Sequence, residues 1–320
     1  MQKRTAEYRN GIWGVIIGDA LGEPVQFMSR EEIADNPVRG MESGRLYLDI
    51  PAGTWTDDSS LTLALLDSIN TLHTIDLTDI MERFCNWLYH GAYTPDGQAF
   101  DIGGTTRRAI DRYSLNRDVH HCGGDSVRSN GNGSLMRIMP ACLYVYEKQH
   151  DEDMSDADAI SVIHDVSALT HAHLRSRIAC GLYYFCVRAI LDGEGSLSDC
   201  IQKGIDAGFA YYRQDIMNLT ELAYYGRIEH TDELASLGAD SIRSTGYVVD
   251  SLEAAIWSLV TTSSFPECEL KAVNLADDSD SVAAIAGGLA GLYYGYEQIP
   301  EEWIEVIRSR ECIDAMIESV

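Results

Sequence analysis

The sequence is short of positive charge. Lysine and arginine together number 24 against 50 aspartate and glutamate residues, a formal net charge of −26 over 320 residues. A chain this acidic repels phosphate backbones and anionic lipid surfaces, so neither nucleic-acid nor membrane-surface binding is expected. A phosphate-bearing ligand would have to find positive potential in metal ions, a few arginines or backbone N–H groups. No apolar run is long enough to span a bilayer. The basic start, MQKRTAEYRN, is not followed by an apolar segment, so no secretory signal is expected. Prolines number only seven, and no low-complexity linker or fixed-period repeat breaks the chain. The eight cysteines stand singly with no CxxC pair, which argues against a zinc knuckle or a thioredoxin-type site and fits a reducing cytoplasm. Period-two runs of Val, Ile and Thr are nearly absent, which argues against a sheet.

Apolar residues are plentiful, at 45% of the chain with 23% charged, which excludes a disordered or fibrous chain and leaves material for a core. They recur with helical spacing. Leu61, Leu65, Leu66 and Ile69 form one stripe. Ile178, Leu182, Phe185, Cys186 and Ala189 form a second, and Leu252, Ala255, Ile256, Leu259 and Val260 a third. Ser264, Pro266 and Glu267 carry the signature of a helix start. Gly287, Gly288, Gly291 and Gly295 sit in a small-residue helical stretch, where each glycine costs about 1 kcal/mol relative to alanine. Close helix packing or a site constraint is expected to offset that cost. The expected fold is all-α, a single compact domain of many helices. Two long loops, about 91–104 and 120–134, are polar and glycine-rich enough to be functional.

Five short stretches could carry chemistry. Thr56, Asp57 and Asp58, followed by two serines, precede a helical stripe, and Asp278, Ser279, Asp280 and Ser281 precede another. Each set has a plain explanation as a helix cap with acids at the positive end of the dipole. Yet a helix needs only one cap. If the two sets meet, Asp57, Asp58, Asp278 and Asp280 form a carboxylate cluster that repels itself unless cations fill it. Carboxylates and hydroxyls are oxygen ligands that suit Mg²⁺, Mn²⁺ or Ca²⁺ rather than zinc, and four carboxylates balance two divalent ions. No EF-hand pattern is present. Gly131, Asn132, Gly133 and Ser134 form a loop whose backbone can approach an anion, although it matches neither the P-loop nor the dinucleotide fingerprint. His171 and His173, read as helical, point to different faces and cannot easily share a metal. Asp101, Gly103 and Thr105 form a loop-to-helix junction that Thr105 could cap.

Taken in order, GDALGEP at 18–24, GTWTDDS at 53–59, DIGGTTR at 101–107, GNGSLMR at 131–137, LTHAH at 169–173, STGYVVDSLEAAIW at 244–257 and DSDSVAAIAGGLAG at 278–291 resemble the ADP-ribosylglycohydrolase family, of the dinitrogenase-reductase-activating glycohydrolase type. The resemblance covers nearly the whole chain and implies one domain over residues 1–320 with a metal-containing cleft. It implies two Mg²⁺ or Mn²⁺ ions held by Thr56, Asp57, Asp58, Asp278, Asp280 and Ser281, the last replacing the more usual threonine. It implies an ADP-ribose pocket formed by Asn132, Gly133, Ser134 and His171, with Gly103 and Thr105 beside it and Gly246 and Tyr247 near the adenosine end. Asp101 matches an acid near the scissile bond, so Asp101 and Asp58 are the candidate catalytic carboxylates. Gln26 stands where many relatives carry glutamate, which leaves an acceptor oxygen but removes a charge and a base. The implied reaction is hydrolysis of the bond between ADP-ribose and an acceptor, foremost an arginine of an ADP-ribosylated protein. Two other readings stay open: an ADP-ribose-binding or toxin-neutralising protein that acts by contact, and a metal phosphohydrolase of another nucleotide. A binder has no need of four clustered acids, and the phosphohydrolase would release phosphate or AMP rather than ADP-ribose.

Overall fold

The structure, a computed structural model, describes residues 2–46, 49–193 and 195–320; Met1, Tyr47, Leu48 and Glu194 lie outside it. The described residues form sixteen α-helices, several short 3₁₀ turns, two isolated bridges and no β-strand. Among them, no helix is long and apolar enough to cross a membrane.

The three apolar stripes lie in helices Asp57–Leu72, Leu174–Leu191 and Val248–Val260, and their residues are buried except Ala189 and Val260, which are partly so. The helix Phe265–Val273 starts as expected, with the Ser264 hydroxyl accepting from Glu267 N–H at 3.4 Å. Glu267 reaches back one residue further than a capping box would, accepting from Ser263 N–H at 3.1 Å. Cys312 is exposed, the other seven cysteines are buried in the core, and none of the eight is in a disulfide.

The glycines explain how the core is built. The N-terminal helix Gln2–Gly22 packs antiparallel against the helix Ser279–Tyr294. Gly14, Gly18 and Gly22 recur every fourth residue, so they share one helix face. A Cβ on Gly14 would stand 2.0 Å from the Gly287 carbonyl oxygen, and one on Gly18 2.2 Å from that of Ala283. A Cβ on Gly22 would stand 2.4 Å from the Asp280 backbone, and one on Gly291 2.2 Å from the Asn10 carbonyl oxygen. The two backbones therefore touch, and the helix-propensity cost of glycine is offset by contact at both ends of the pair. The contact leaves Asp19 of the first helix beside Asp280 of the second.

Glu269 lies in the same interior, fully buried, and neither carboxylate oxygen has a hydrogen-bond partner. Burial alone pushes its carboxyl well above the usual range, so the folded protein holds it neutral. The unfolded chain ionises near pH 4.5 and the folded one only at higher pH. The stability of the neutral form is thus fully present below pH 4.5 and is lost as pH rises toward the folded-state value. Relative to Glu269→Gln, wild-type stability is expected to fall as pH rises above about 4.5, by up to about 1.4 kcal/mol per pH unit. Urea unfolding of both proteins above that pH checks it, and parallel curves would rule it out.

Candidate functional site

The site begins where the N-terminal helix ends. Both oxygens of Asp19 accept from Thr56 N–H at 3.0 Å, and Oδ2 also accepts from Ser59 N–H at 2.9 Å and the Ser59 hydroxyl at 2.6 Å. A carboxylate of one helix thereby satisfies the orphan donors of another. The Thr56 side chain caps the same helix through Asp58 N–H at 3.4 Å. Thr56 is a cap, as the plain reading held, but Asp57 and Asp58 are then not required for capping. At the second acid–hydroxyl stretch the cap reading fails: Asp278 stands at the N-cap position and makes no side-chain cap hydrogen bond. Its Oδ2 accepts instead from the Asn132 side-chain amide.

The two stretches meet. Thr56 and Ser281 donate their hydroxyls to Asp58 Oδ2 at 3.2 and 3.4 Å. Carboxylate oxygens of Asp19, Asp58 and Asp280 lie within 4.8 Å of one another. Asp58 Oδ1 and both Asp280 oxygens are buried without any partner. Burial, then the neighbouring acids, pushes the carboxyls of Asp57, Asp58 and Asp280 well up. Orphaned, mutually repelling carboxylate oxygens with hydroxyls beside them fit a hard divalent cation, and no nitrogen or sulfur ligand is among them. Asp19 belongs to this triad by distance, but its oxygens are already engaged by N–H and O–H donors, so it holds the site from behind. Glu23 adds another buried acid, pushed up to about 8 by burial and then by Asp19 and Asp101. Sequence reasoning passed over both Asp19 and Glu23. The signal for Asp19 is an acid inside the apolar run GVIIGDALG, where a carboxylate must have a partner to be tolerated, and Glu23 follows that run directly.

Above the acids opens a cleft of about 290 Å³. Of the residues singled out in the sequence, Gln26, Asp57, Asp101, Gly103, Thr105, Gly131, Asn132, Gly133, His171, Gly246, Asp278 and Ser281 line it. Thr56, Asp58 and Asp280 are buried and do not line it. Asp101 has a left-handed φ of 54°, and its Oδ2 accepts from the Gln26 amide at 2.6 Å. Burial raises the Asp101 carboxyl. Asn132 joins the loops: its N–H donates to Gly246 O and its side chain to Ser251 Oγ, both at 3.0 Å.

Several expectations differ in detail. The Ser134 hydroxyl faces the core, bonded to Ser167 Oγ at 2.9 Å, and Ser134 does not line the cleft. Thr105 does not cap the helix Gly104–Asn116, because Gly103 occupies the N-cap position. Its hydroxyl accepts from Arg108 at 3.1 Å instead. His171 and His173 lie in a turn rather than a helix, because the preceding helix ends at Ala168. His173 caps the next helix, accepting from Arg175 N–H at 3.2 Å, while His171 lines the cleft. Tyr247 does not line it; its hydroxyl accepts from Arg175 Nη1 at 2.9 Å. The glycine-rich loop closes as a tight turn, with Leu135 N–H donating to Asn132 O at 2.7 Å, and the next helix starts only at Met139.

The cleft is electrically two-sided. One wall carries the acids, and behind the other lie Arg137 and Arg108, whose charges both act on His171. These guanidiniums are the positive potential that so acidic a chain needs if it is to hold an anion.

A profile of the ADP-ribosylglycohydrolase family matches residues 1–320. The ADP-ribosylarginine hydrolases Tri1 of Serratia proteamaculans (strain 568) and Pseudomonas putida (strain GB-1) are 30% and 32% identical, over 98% and 93% of this chain and 78% and 73% of theirs. The ADP-ribosyl-[dinitrogen reductase] glycohydrolase of Rhodospirillum rubrum is 29% identical over 91% of this chain and 86% of its own. A solved ADP-ribosylglycohydrolase-related protein complex superposes with a TM-score of 0.75 at 26% identity, covering 100% of this chain and 98% of that one. With a whole-chain family match, an all-α fold and a buried acid cluster under a cleft, this chain belongs to the ADP-ribosylglycohydrolase family.

Proposed function

We propose that the protein hydrolyses the bond between ADP-ribose and an acceptor, foremost a protein arginine, with two Mg²⁺ or Mn²⁺ ions as cofactors. The observation that carries this reading is the set of partnerless carboxylate oxygens on Asp58 and Asp280 beneath the cleft that Asn132, Gly133 and His171 line. Thr56, Asp57, Asp58, Asp278, Asp280 and Ser281 would hold the ions. Bound there, they would supply Lewis acidity and a water of lowered pKa.

The chain's own groups do the rest. Gly131 to Gly133 present backbone to the pyrophosphate, with Ser134 anchoring the loop to the core and Arg137 and Arg108 supplying positive potential behind it. Gly103 and Thr105 border the ribose end and Gly246 the adenosine end, with Tyr247 outside it. Asp101, held on one oxygen by Gln26, has its carboxylate on the cleft wall, where it steers water or the departing guanidine. Water gives its hydroxyl to the anomeric carbon as the C–N bond breaks through an oxocarbenium-like state. The remaining proton goes to the leaving nitrogen, releasing ADP-ribose and arginine. The acidic wall attracts a cationic acceptor.

Incubation with peptides carrying ADP-ribose on arginine or on serine, and with O-acetyl-ADP-ribose, tests the reaction and its acceptor. Free ADP-ribose from the arginine peptide supports the reading; phosphate or AMP as the product would overturn it. Asp101→Asn is expected to lower turnover by about 10²- to 10³-fold while shifting ADP-ribose affinity by less than about threefold. Kinetics beside calorimetry check this. Lost affinity with intact turnover of bound substrate would make Asp101 a binding residue.

A further inference from the structure

Arg137 is fully buried behind the glycine-rich loop, its guanidinium 4.7 Å from the Phe84 ring centroid. Nη2 donates to Val166 O at 3.2 Å and to Thr170 Oγ1 at 2.9 Å, while Nε and Nη1 have no partner. Burial lowers its pKa only to about 10, so it remains a charged donor at neutral pH. Thr170 Oγ1 lies in turn 2.9 Å from His171 Nδ1. A hydroxyl carries one proton, and arginine can only donate. Thr170 therefore accepts from Arg137, and because, among the described residues, its hydroxyl makes no hydrogen bond besides these two, its own proton goes to Nδ1. An imidazole that accepts at Nδ1 and is neutral carries its proton on Nε2.

Three further observations agree. Burial first, then Arg137 and Arg108, hold the His171 pKa down to about 3, so the ring is neutral. Its backbone is fixed by Ser167, whose carbonyl accepts from His171 N–H at 2.9 Å and whose hydroxyl donates to His171 O at 3.2 Å. In front of the ring two glycines leave out their side chains: a Cβ on Gly131 would lie 3.4 Å from Nε2, and one on Gly133 2.9 Å from Cε1.

We propose that Thr170 and Arg137 are positioning residues that lock His171 in its Nε2–H tautomer and so aim a fixed donor at an anionic or hydroxyl oxygen in the space kept open by Gly131 and Gly133. The identity of that oxygen, a pyrophosphate or ribose oxygen of ADP-ribose, rests on the function proposed above; the tautomer does not. Long-range ¹H–¹⁵N imidazole spectra of the full-length protein, assigned with His171→Gln, read the tautomer directly. The wild type is expected to carry the proton on Nε2. Thr170→Val is expected to populate both tautomers and Thr170→Ser to restore one. ADP-ribose binding by calorimetry is expected to weaken about three- to tenfold in Thr170→Val and to recover in Thr170→Ser. A proton on Nδ1 in the wild type, or an unchanged single tautomer in Thr170→Val, would overturn the relay. If Thr170→Val does not fold, the wild-type and Thr170→Ser spectra decide, because both must show Nε2–H. An Nε2–H ring in a protein that does not bind ADP-ribose would sink the ligand and leave the relay standing.

Discussion

Asp280→Asn is expected to abolish turnover, by about a thousandfold or more, while the far-ultraviolet circular dichroism stays that of the wild type. A thousandfold loss corresponds to about 4 kcal/mol of transition-state stabilisation, within the range expected when a metal-ion site is dismantled. The cause is local. Asp280 is buried with both oxygens partnerless, and Asp278, Asp58, Asp101 and Asp19 all raise its carboxyl further. Such a charge is costly to the empty fold and is tolerated when a cation neutralises it. The neutral amide of the variant relieves that repulsion, so the metal-free variant is expected to melt at or above the metal-free wild type. Added Mg²⁺ or Mn²⁺ should raise the melting temperature of the wild type alone, because only a ligand of the folded state stabilises it. EDTA should stop wild-type turnover and either ion should restore it. Full activity in Asp280→Asn, or rescue by zinc alone, would overturn the oxygen-ligand site.

Gly18→Ala is expected to cost several kcal/mol, about 4 or more, although it adds a single methyl group. Its Cβ would stand 2.2 Å from the Ala283 carbonyl oxygen, which is backbone and cannot turn aside. The two central helices must then separate, and with them Asp19 and Asp280. Activity should therefore fall together with stability. Gly226→Ala is the control, since nothing lies within 4 Å of the added Cβ and the change should stay within about 0.5 kcal/mol. Denaturant midpoints of the two variants decide. A Gly18→Ala protein as stable as the control would show that the backbones are not in contact.

The distinction between Gly18 and Gly226 marks where sequence reading stops. The glycine stretch after Asp278 was legible as a cost that something must offset, because propensity is local. The offsetting partner, Gly14 to Gly22 near the other end of the chain, is a contact in space, and no spacing along the sequence encodes it. The same holds for the acids. Two acid–hydroxyl stretches, each before an apolar helix, could be read directly, but cap and ligand share one signature. Hydrogen bonding tells the acids apart from caps: the capping bond at the first stretch comes from Thr56, Asp278 makes none, and the Asp280 carboxylate has no hydrogen-bond partner.

From its own pattern, then, the sequence determined the all-helical class, through apolar periodicity and the lack of strand alternation. It also marked the segments that the fold brings together around the cleft, although each of them could equally be read as a helix cap or a plain loop. The tertiary structure decided which atoms face which. It turned the Ser134 hydroxyl into the core, set His171 in a turn against Thr170, and brought in Asp19 and Glu23 beside the acid cluster. The physical reason is range. Helix formation follows from residues three and four apart, whereas the state of a buried carboxylate or imidazole depends on whatever charge and hydrogen-bond donors the fold packs against it.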